Sequence, residues 1–213
     1  IDPLDKNFRK FGMALLEKQR QLFGAHHYYA CDPFHENKPP IKGDKYLQNV
    51  GKAISEMYTA FDSQAVWVMQ AWSLREPIVK AVDKDKLLIL DIDGSKCEKT
   101  DGFWGYNFIS GTLNNFGDRN TLHGSIDALA ENKFMEEREK YPSIVGTGLF
   151  MEGIFQNPLY FDLASDMLTR SDKPELDSWL KDYARRRYGS DEACLFEAVK
   201  DMHETCYSKA CRH

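Results

Sequence analysis

The sequence predicts an α/β fold: a parallel sheet of about five strand–helix units, the second half of a (β/α)8 TIM-type barrel, followed by an α-helical region. Three observations predict it. Strand and helix patterns alternate over the first 150 residues. One strand, "KLLILDI", is the continuous apolar run of a parallel strand covered on both faces. After Asn157 the strand patterns stop and only helical ones continue, so a boundary is placed there: 1–157 as the barrel region, 158–213 as a helical segment.

Each element has its own warrant. Residues Phe8 to Leu22 read as a helix, and "HHYYACDPF" as a short aromatic-rich strand. From Asp44, an expected N-cap, "KYLQNVGKAISEMYTAF" has the i, i+3/i+4 spacing of an amphipathic helix. "AVWVMQAW" is a buried strand, and a short helix from Arg75 to Val82 leads into "KLLILDI". "YNFISGTL" and "SIVGTGLF" are the fourth and fifth strands, with "LHGSIDALAENKFMEEREK" as the helix between them. In the last region Pro158 and Pro174 suit first-turn positions and Gly189 a C-cap. "RRRYG" fits a helix C-terminus, where positive charge favours the dipole. "FMEEREK" reads as a solvated helix face with i, i+4 pairs. Of the pair His26-His27, at most one should face the core.

Composition narrows the function. The 213 residues are 42% hydrophobic and 29% charged, ordinary for a globular domain with a sizeable core. A net charge of −5 gives no electrostatic reason for a nucleic-acid or anionic-membrane partner. No apolar run approaches the roughly 18–20 residues that span a bilayer. The opening "IDPLDKNFRK" has no apolar signal-peptide core and no Met, and reads as a mature end or an internal cut. The cysteines (31, 97, 194, 206 and 211) form no C-x-x-C pair, so a zinc site is not expected, nor any other cofactor. Cys206 and Cys211 could close a small disulfide loop or stay reduced.

Functional residues of α/β folds gather at the C-terminal ends of strands. Those positions hold Asp32, His35 and Glu36 after the first strand, and Gln70 and Trp72 after the second. Asp91 and Asp93 follow the third, Asn114 and Asn115 the fourth, and Met151 to Gln156, with Glu152, the fifth. The set is rich in carboxylates, amides and aromatics, and contains no P-loop, H-E-x-x-H, G-x-G-x-x-G or Ser-His-Asp pattern. Sugars are held by aromatic stacking and hydrogen bonds, and glycoside hydrolysis needs two carboxyl groups flanking the bond. Glu36 and Glu152, on different βα loops, could form such a pair across a barrel mouth. A rival is "LLILDIDGSK": an apolar strand ending in D-x-D-G resembles the haloacid-dehalogenase phosphatases, with Asp91 as nucleophile, Asp93 as proton carrier, and "GDRN" (Gly117 to Asn120) like that family's acidic loop. Against it, that strand normally opens its domain and the acidic loop follows too soon here.

Taken together, "DPFHE", "AVWVMQAW", "LLILD", "NNFG", "VGTGLFMEGIFQNPLYFDL" and the Trp-led "YARRRYG" occur in the order found in the α-N-acetylglucosaminidases of glycoside hydrolase family 89, and the chain resembles that family along nearly its whole length. The resemblance implies exo-hydrolysis of terminal α-linked N-acetylglucosamine from glycans such as heparan-sulfate-like glycosaminoglycans, with retention. It implies Glu36 as general acid/base, with His35 and Asp32 supporting it, and Glu152 as nucleophile, the two carboxyl groups about 5–5.5 Å apart. Trp72 and Gln70, with His35, Asn114 and Asn115, fall on its sugar-pocket segments. It implies secretion, a periplasm or a lysosome as the compartment, and no cofactor or metal. The sequence also departs from the family: Asn114 replaces a usual His, Asp118 a usual Gly, and "LDIDGS" loses an acidic residue of "LDLFAE". Against the family's eight-stranded barrel, this chain starts just before the fourth strand. Unpaired strand edges would then favour self-association or a further segment completing the barrel. A truncated sugar-binding remnant without turnover is the non-enzymatic alternative.

Overall fold

The computed structural model describes residues 1–114, 122, 124–153 and 156–208. The five predicted strands are present: β1 Tyr28–Ala30, β2 Val66–Gln70, β3 Leu87–Asp91, β4 Phe108–Thr112 and β5 Ile144–Leu149, in the order β1-β2-β3-β4-β5. Consecutive strands being neighbours is what repeated right-handed βα crossovers produce. β1–β2 and β2–β3 are parallel, with Tyr29 opposite Trp67 and Met69 opposite Ile89. The Ile89 N–H reaches Asn107 O (2.9 Å), and the Phe150 N–H reaches Thr112 O (3.0 Å). This five-stranded α/β sheet is the partial barrel that the sequence predicts.

Chain contacts divide the protein into two compact units, Ile1–Asp91 with Ser95–Ile109, and Ile92–Gly94 with Ser110–His213. In the first unit α1 (Phe8–Phe23), α2 (Asp44–Phe61) and α3 (Glu76–Val79) accompany β1 to β3. Strand alternation sets the core: Trp67, Met69, Leu87 and Ile89 are fully buried, with Val50 and Ile54 of α2 and Ile78 of α3. Val66, Val68, Gln70, Leu88 and Leu90, which point the other way, are only partly covered. Asp44 is not the N-cap expected of it. Gly43 occupies that position at φ 110°, and Asp44 sits in the first turn, where its charge still favours the dipole. His26 and His27 are both exposed and precede β1, so neither faces the core. His27 Nδ1 lies 2.8 Å from Asp62 Oδ2.

In the second unit the predicted continuous helix before β5 is two helices, α4 (Ile126–Ala130) and α5 (Lys133–Lys140). Side-chain caps break it: Ser125 accepts from the Ala128 amide, and Asn132, at φ 56°, accepts from the Met135 amide. Asn132 is fully buried because its Nδ2 also donates to Asp172 O (2.9 Å). "FMEEREK" is likewise not a uniformly solvated face. Phe134 and Glu137 are buried, and Glu137 accepts from the Ser110 hydroxyl on β4 while Lys133 Nζ lies 3.2 Å away. That ion pair lacks hydrogen-bond alignment, since Glu137 Oε1 is buried without a hydrogen-bond partner among the described residues.

The final helices are α6 (Pro158–Met167), α7 (Leu176–Tyr188) and α8 (Ala193–Met202). Pro158 occupies the first turn and Gly189 the C-cap, at φ 69°, as expected. Pro174 does not open α7: Glu175 caps it by accepting from the Asp177 and Ser178 amides, leaving the proline outside. Arg185, Arg186 and Arg187 fill its last turn. Leu163, Met167, Trp179, Leu180, Val199 and Tyr207 form the buried cluster of this unit. Among the described residues Cys31, Cys97, Cys194 and Cys206 form no disulfide, and Cys211, the candidate partner of Cys206, lies outside them.

Candidate active site

In the first unit the loop leaving β1 carries Asp32, His35 and Glu36. Its course is fixed by backbone contacts. The Cys31 amide extends the ladder to Val68 O (3.2 Å), and the Trp67 indole N–H donates to Cys31 O (2.7 Å). The buried Pro33 denies the chain a helix here, and Phe34 takes a left-handed conformation at φ 59°. A turn then closes from the Asn37 amide to Phe34 O (3.2 Å), with His35 and Glu36 at its exposed corner. The Glu36 carboxylate has no hydrogen bond or ion pair to another described residue. It is free to meet a ligand.

The next loop, after β2, is bonded to this one. Asp32 Oδ1 accepts from the Gln70 amide (2.7 Å) and from the Ser73 hydroxyl (3.1 Å). Gln70 itself ends β2 on the partly covered face, and Trp72 is half-buried in the 3-10 turn Ala71–Ser73. Arg75 Nη2 donates to Asn37 O (3.2 Å). The geometry therefore brings together Asp32, His35, Glu36, Gln70 and Trp72 around two adjacent strand ends. Arg75 and Ser73 were not legible from the sequence as part of this cluster. Arg75 reads there as the start of a surface helix, and only the adjacency of β1 and β2 could have drawn attention to it.

At the end of β3, Asp91 is fully buried. It accepts from the Cys97 amide (3.0 Å) and from the Lys96 amide, 3.3 Å from each carboxylate oxygen. Those bonds fold the following loop back onto the strand, so the geometry assigns Asp91 to loop closure and not to the nucleophile of the phosphatase alternative. No group of three or more His, Cys, Asp or Glu side chains suited to a metal occurs among the described residues.

In the second unit Asn114 is buried just past β4, with Gly124 packed so closely that a Cβ there would lie 2.7 Å from Asn114 Oδ1. Burial raises the pKa of the Tyr160 phenol, which pairs with the Thr112 hydroxyl at 2.7 Å. Glu152 is exposed in a bend after β5. Gln156 follows, its amide donating to Gly153 O and its Oε1 buried without a hydrogen-bond partner among the described residues. Asn115, expected in the sugar pocket, lies outside the described residues, as do Asp118 and the "GDRN" segment.

Two strand-end carboxylates in a sheet of this topology, with amides and an aromatic beside one of them, are the equipment of a glycosidase. Comparison with known proteins agrees. The human alpha-N-acetylglucosaminidase is 31% identical over 232 residues, which cover 100% of this chain and 31% of the human one. A family 89 glycoside hydrolase from Clostridium perfringens, solved in complex with PUGNAc, superposes with a TM-score of 0.87 at 27% identity, covering 98% of this chain and 24% of that one. The C. perfringens enzyme solved with its substrate GlcNAc-alpha-1,4-galactose gives 0.85 at 26% identity, over 96% and 24%. The chain thus spans about a third of the human relative and a quarter of the clostridial one. The sequence model of the "Alpha-N-acetylglucosaminidase (NAGLU) tim-barrel domain" matches residues 1–171, and the chain belongs to that family.

Proposed function

We propose that this chain carries the two catalytic glutamates of a retaining exo-α-N-acetylglucosaminidase acting on terminal α-linked N-acetylglucosamine, in glycans such as heparan-sulfate-like glycosaminoglycans. Glu36 protonates the glycosidic oxygen while Glu152 attacks the anomeric carbon from the other face. The leaving sugar departs and a glycosyl ester on Glu152 remains. Glu36, now a carboxylate, takes a proton from water, which opens the ester and restores the anomeric configuration. His35, Gln70, Trp72, Asn114 and Asn115 hold the sugar ring and its substituents. The setting in which such a reaction serves glycan breakdown is a lysosome, a periplasm or the cell exterior. No described helix is long and apolar enough to cross a membrane.

One observation carries the assignment. The clostridial enzyme was solved with its substrate in a form with two glutamates changed to glutamine, and those two lie only two residues further apart in sequence than Glu36 and Glu152 do here. Removing the charge of both catalytic carboxylates is how a substrate is kept intact in a hydrolase.

The test is hydrolysis of an aryl α-N-acetylglucosaminide by the chain and by its Glu36→Gln and Glu152→Gln variants, with the product anomer read by NMR. The proposal expects α-product, and a loss of at least about 10²-fold in either variant. Binding of the sugar without turnover would instead support the non-catalytic remnant. Mg²⁺-dependent phosphate release that Asp91→Asn abolishes would restore the phosphatase reading.

A further inference from the structure

We infer that Arg75 is a positioning residue for Glu36: its guanidinium fixes the exit of the β1 loop as Asp32 fixes the entry, so that the carboxylate between them is aimed by contacts it does not itself make. The inference rests on Glu36 being the general acid/base.

Five observations carry it. Asp32 ties the loop to the Gln70 amide and the Ser73 hydroxyl four residues before Glu36. Arg75 ties it to Asn37 O one residue after. Both anchors come from the same neighbouring segment, residues 70–75, so the loop is stapled twice to one support. Glu36 itself is exposed and its carboxylate has no bond to another described residue, so the restraint reaches it only through the backbone.

The other two observations are local costs borne by the same two segments. Phe34 holds a left-handed φ of 59° without being glycine, and Arg75 Nε is buried with no hydrogen-bond partner among the described residues. Strain and an unsatisfied donor persist where the surrounding structure over-determines them, and they cluster at sites where geometry is selected over stability. Here they sit on either side of one residue. A general acid must present its proton to one oxygen of the substrate, and a displacement of about 1 Å costs on the order of 10²-fold in rate. Arginine suits the role because its planar fork reaches the carbonyl with one arm while the rest of the group is packed.

Arg75→Met removes the donor and keeps much of the side-chain bulk; Arg75→Lys retains one donor. Each is assayed on two α-N-acetylglucosaminides, one with a dinitrophenyl leaving group that needs little protonation and one with a sugar aglycone that needs a full proton. Arg75→Met should lose about 10- to 100-fold in kcat/KM, which reports the acid-assisted first step, on the sugar aglycone and under about 5-fold in kcat/KM on the dinitrophenyl substrate. Arg75→Lys should recover part of that loss. Equal losses on both substrates, or no loss, would overturn the inference while leaving the assignment of Glu36 intact, provided that Glu36→Gln shows the leaving-group dependence. A Glu36→Gln variant fully active on the sugar aglycone would instead remove the assignment itself. Hydrogen–deuterium exchange of the 31–40 segment gives a readout independent of turnover. Arg75→Met should speed it, and unchanged protection there would overturn the inference in a chain that turns nothing over.

Discussion

Replacing Asp91 by Asn separates two uses of a D-x-D-G strand end. Asp91 has no exposed surface and bonds the Cys97 amide at 3.0 Å and the Lys96 amide at 3.3 Å to each oxygen. A hydrogen bond to a charged group contributes about 1.5–3 kcal/mol net. The Cys97 bond has full weight, while the forked and longer Lys96 contact counts for about half, so the loop closure is worth about 2–4 kcal/mol. Asparagine removes the charge and turns one oxygen into a donor facing other donors, so most of that stabilisation is lost. For a chain of this size, about 2–4 °C per kcal/mol translates to a fall of roughly 5–15 °C in Tm. Urea unfolding and thermal melting of the two proteins measure it, and exchange of the Lys96 and Cys97 amides locates it. A catalytic aspartate held for chemistry behaves in the opposite way, since relieving an active-site carboxylate is often neutral or stabilising. An unchanged midpoint with unchanged exchange at Lys96 and Cys97 would refute the loop-closure account.

Other perturbations test other parts of the chain. Burial raises the Asp62 carboxyl, but hydrogen bonds from His27, the Gln64 amide and Tyr29 outweigh it and hold its pKa below the ordinary value. A depressed carboxylate stabilises the fold above its unfolded pKa, and that contribution is lost as pH falls through the folded one. Asp62→Asn should therefore flatten the decline in urea midpoint below about pH 4. Gly51 lies in α2 where an added Cβ would meet Ile78 O at 2.6 Å. A backbone carbonyl cannot swing aside, so Gly51→Ala should destabilise by about 1–2 kcal/mol in denaturant melts despite its better helix propensity. The partly covered face bearing Val66, Val68, Leu88 and Leu90 should make the isolated chain self-associate, seen as a mass above the monomer in light scattering. A monomer at all concentrations would count against reading that face as one a full barrel turns inward.

The strands were legible as short apolar runs between helical patterns, but β2 and β3 bury only alternate residues, so β3 is not covered on both faces as its unbroken apolar run predicts. Helix ends were less so. Asn132 interrupts a stretch whose apolar spacing continues through it: it caps the Met135 amide, and its Nδ2 also meets carbonyls at Arg170 and Asp172, some forty residues away, which no local window contains. Glu137 was hidden for the same reason: among "EERE" nothing distinguishes the one glutamate that meets Ser110. At the candidate site, Glu36 and Glu152 stood out as strand-end carboxylates. Asp32 and Gln70 stood out as strand-end residues too, but Arg75 did not, because it acts through Asn37 O, and a backbone carbonyl leaves no trace in the identity of the residue that bears it.

Among the described residues, the bonds that fix the Glu36 turn join residues of the first compact unit: Asp32 to Gln70 and Ser73, Asn37 to Phe34, Arg75 to Asn37. Restraint of the Glu36 turn should therefore be indifferent to modest changes in the second unit, and that separates local aiming from general rigidity. Trp179 provides the perturbation. It is buried on α7, stacks on Tyr183 with ring centroids 5.6 Å apart, and donates its indole N–H to Asp166 at 2.6 Å. Trp179→Phe keeps an aromatic ring and removes the donor. Asp166 is half-exposed and can recover a water, so the cost is set at about 1–2 kcal/mol, toward the low end for a bond to a charged acceptor. Exchange across 158–188 should quicken accordingly, while exchange across 31–40 should stay as in the wild type. A matching rise in both segments would mean that the turn borrows its order from the whole chain, and the stapling by Asp32 and Arg75 would then be a consequence of that order instead of its source.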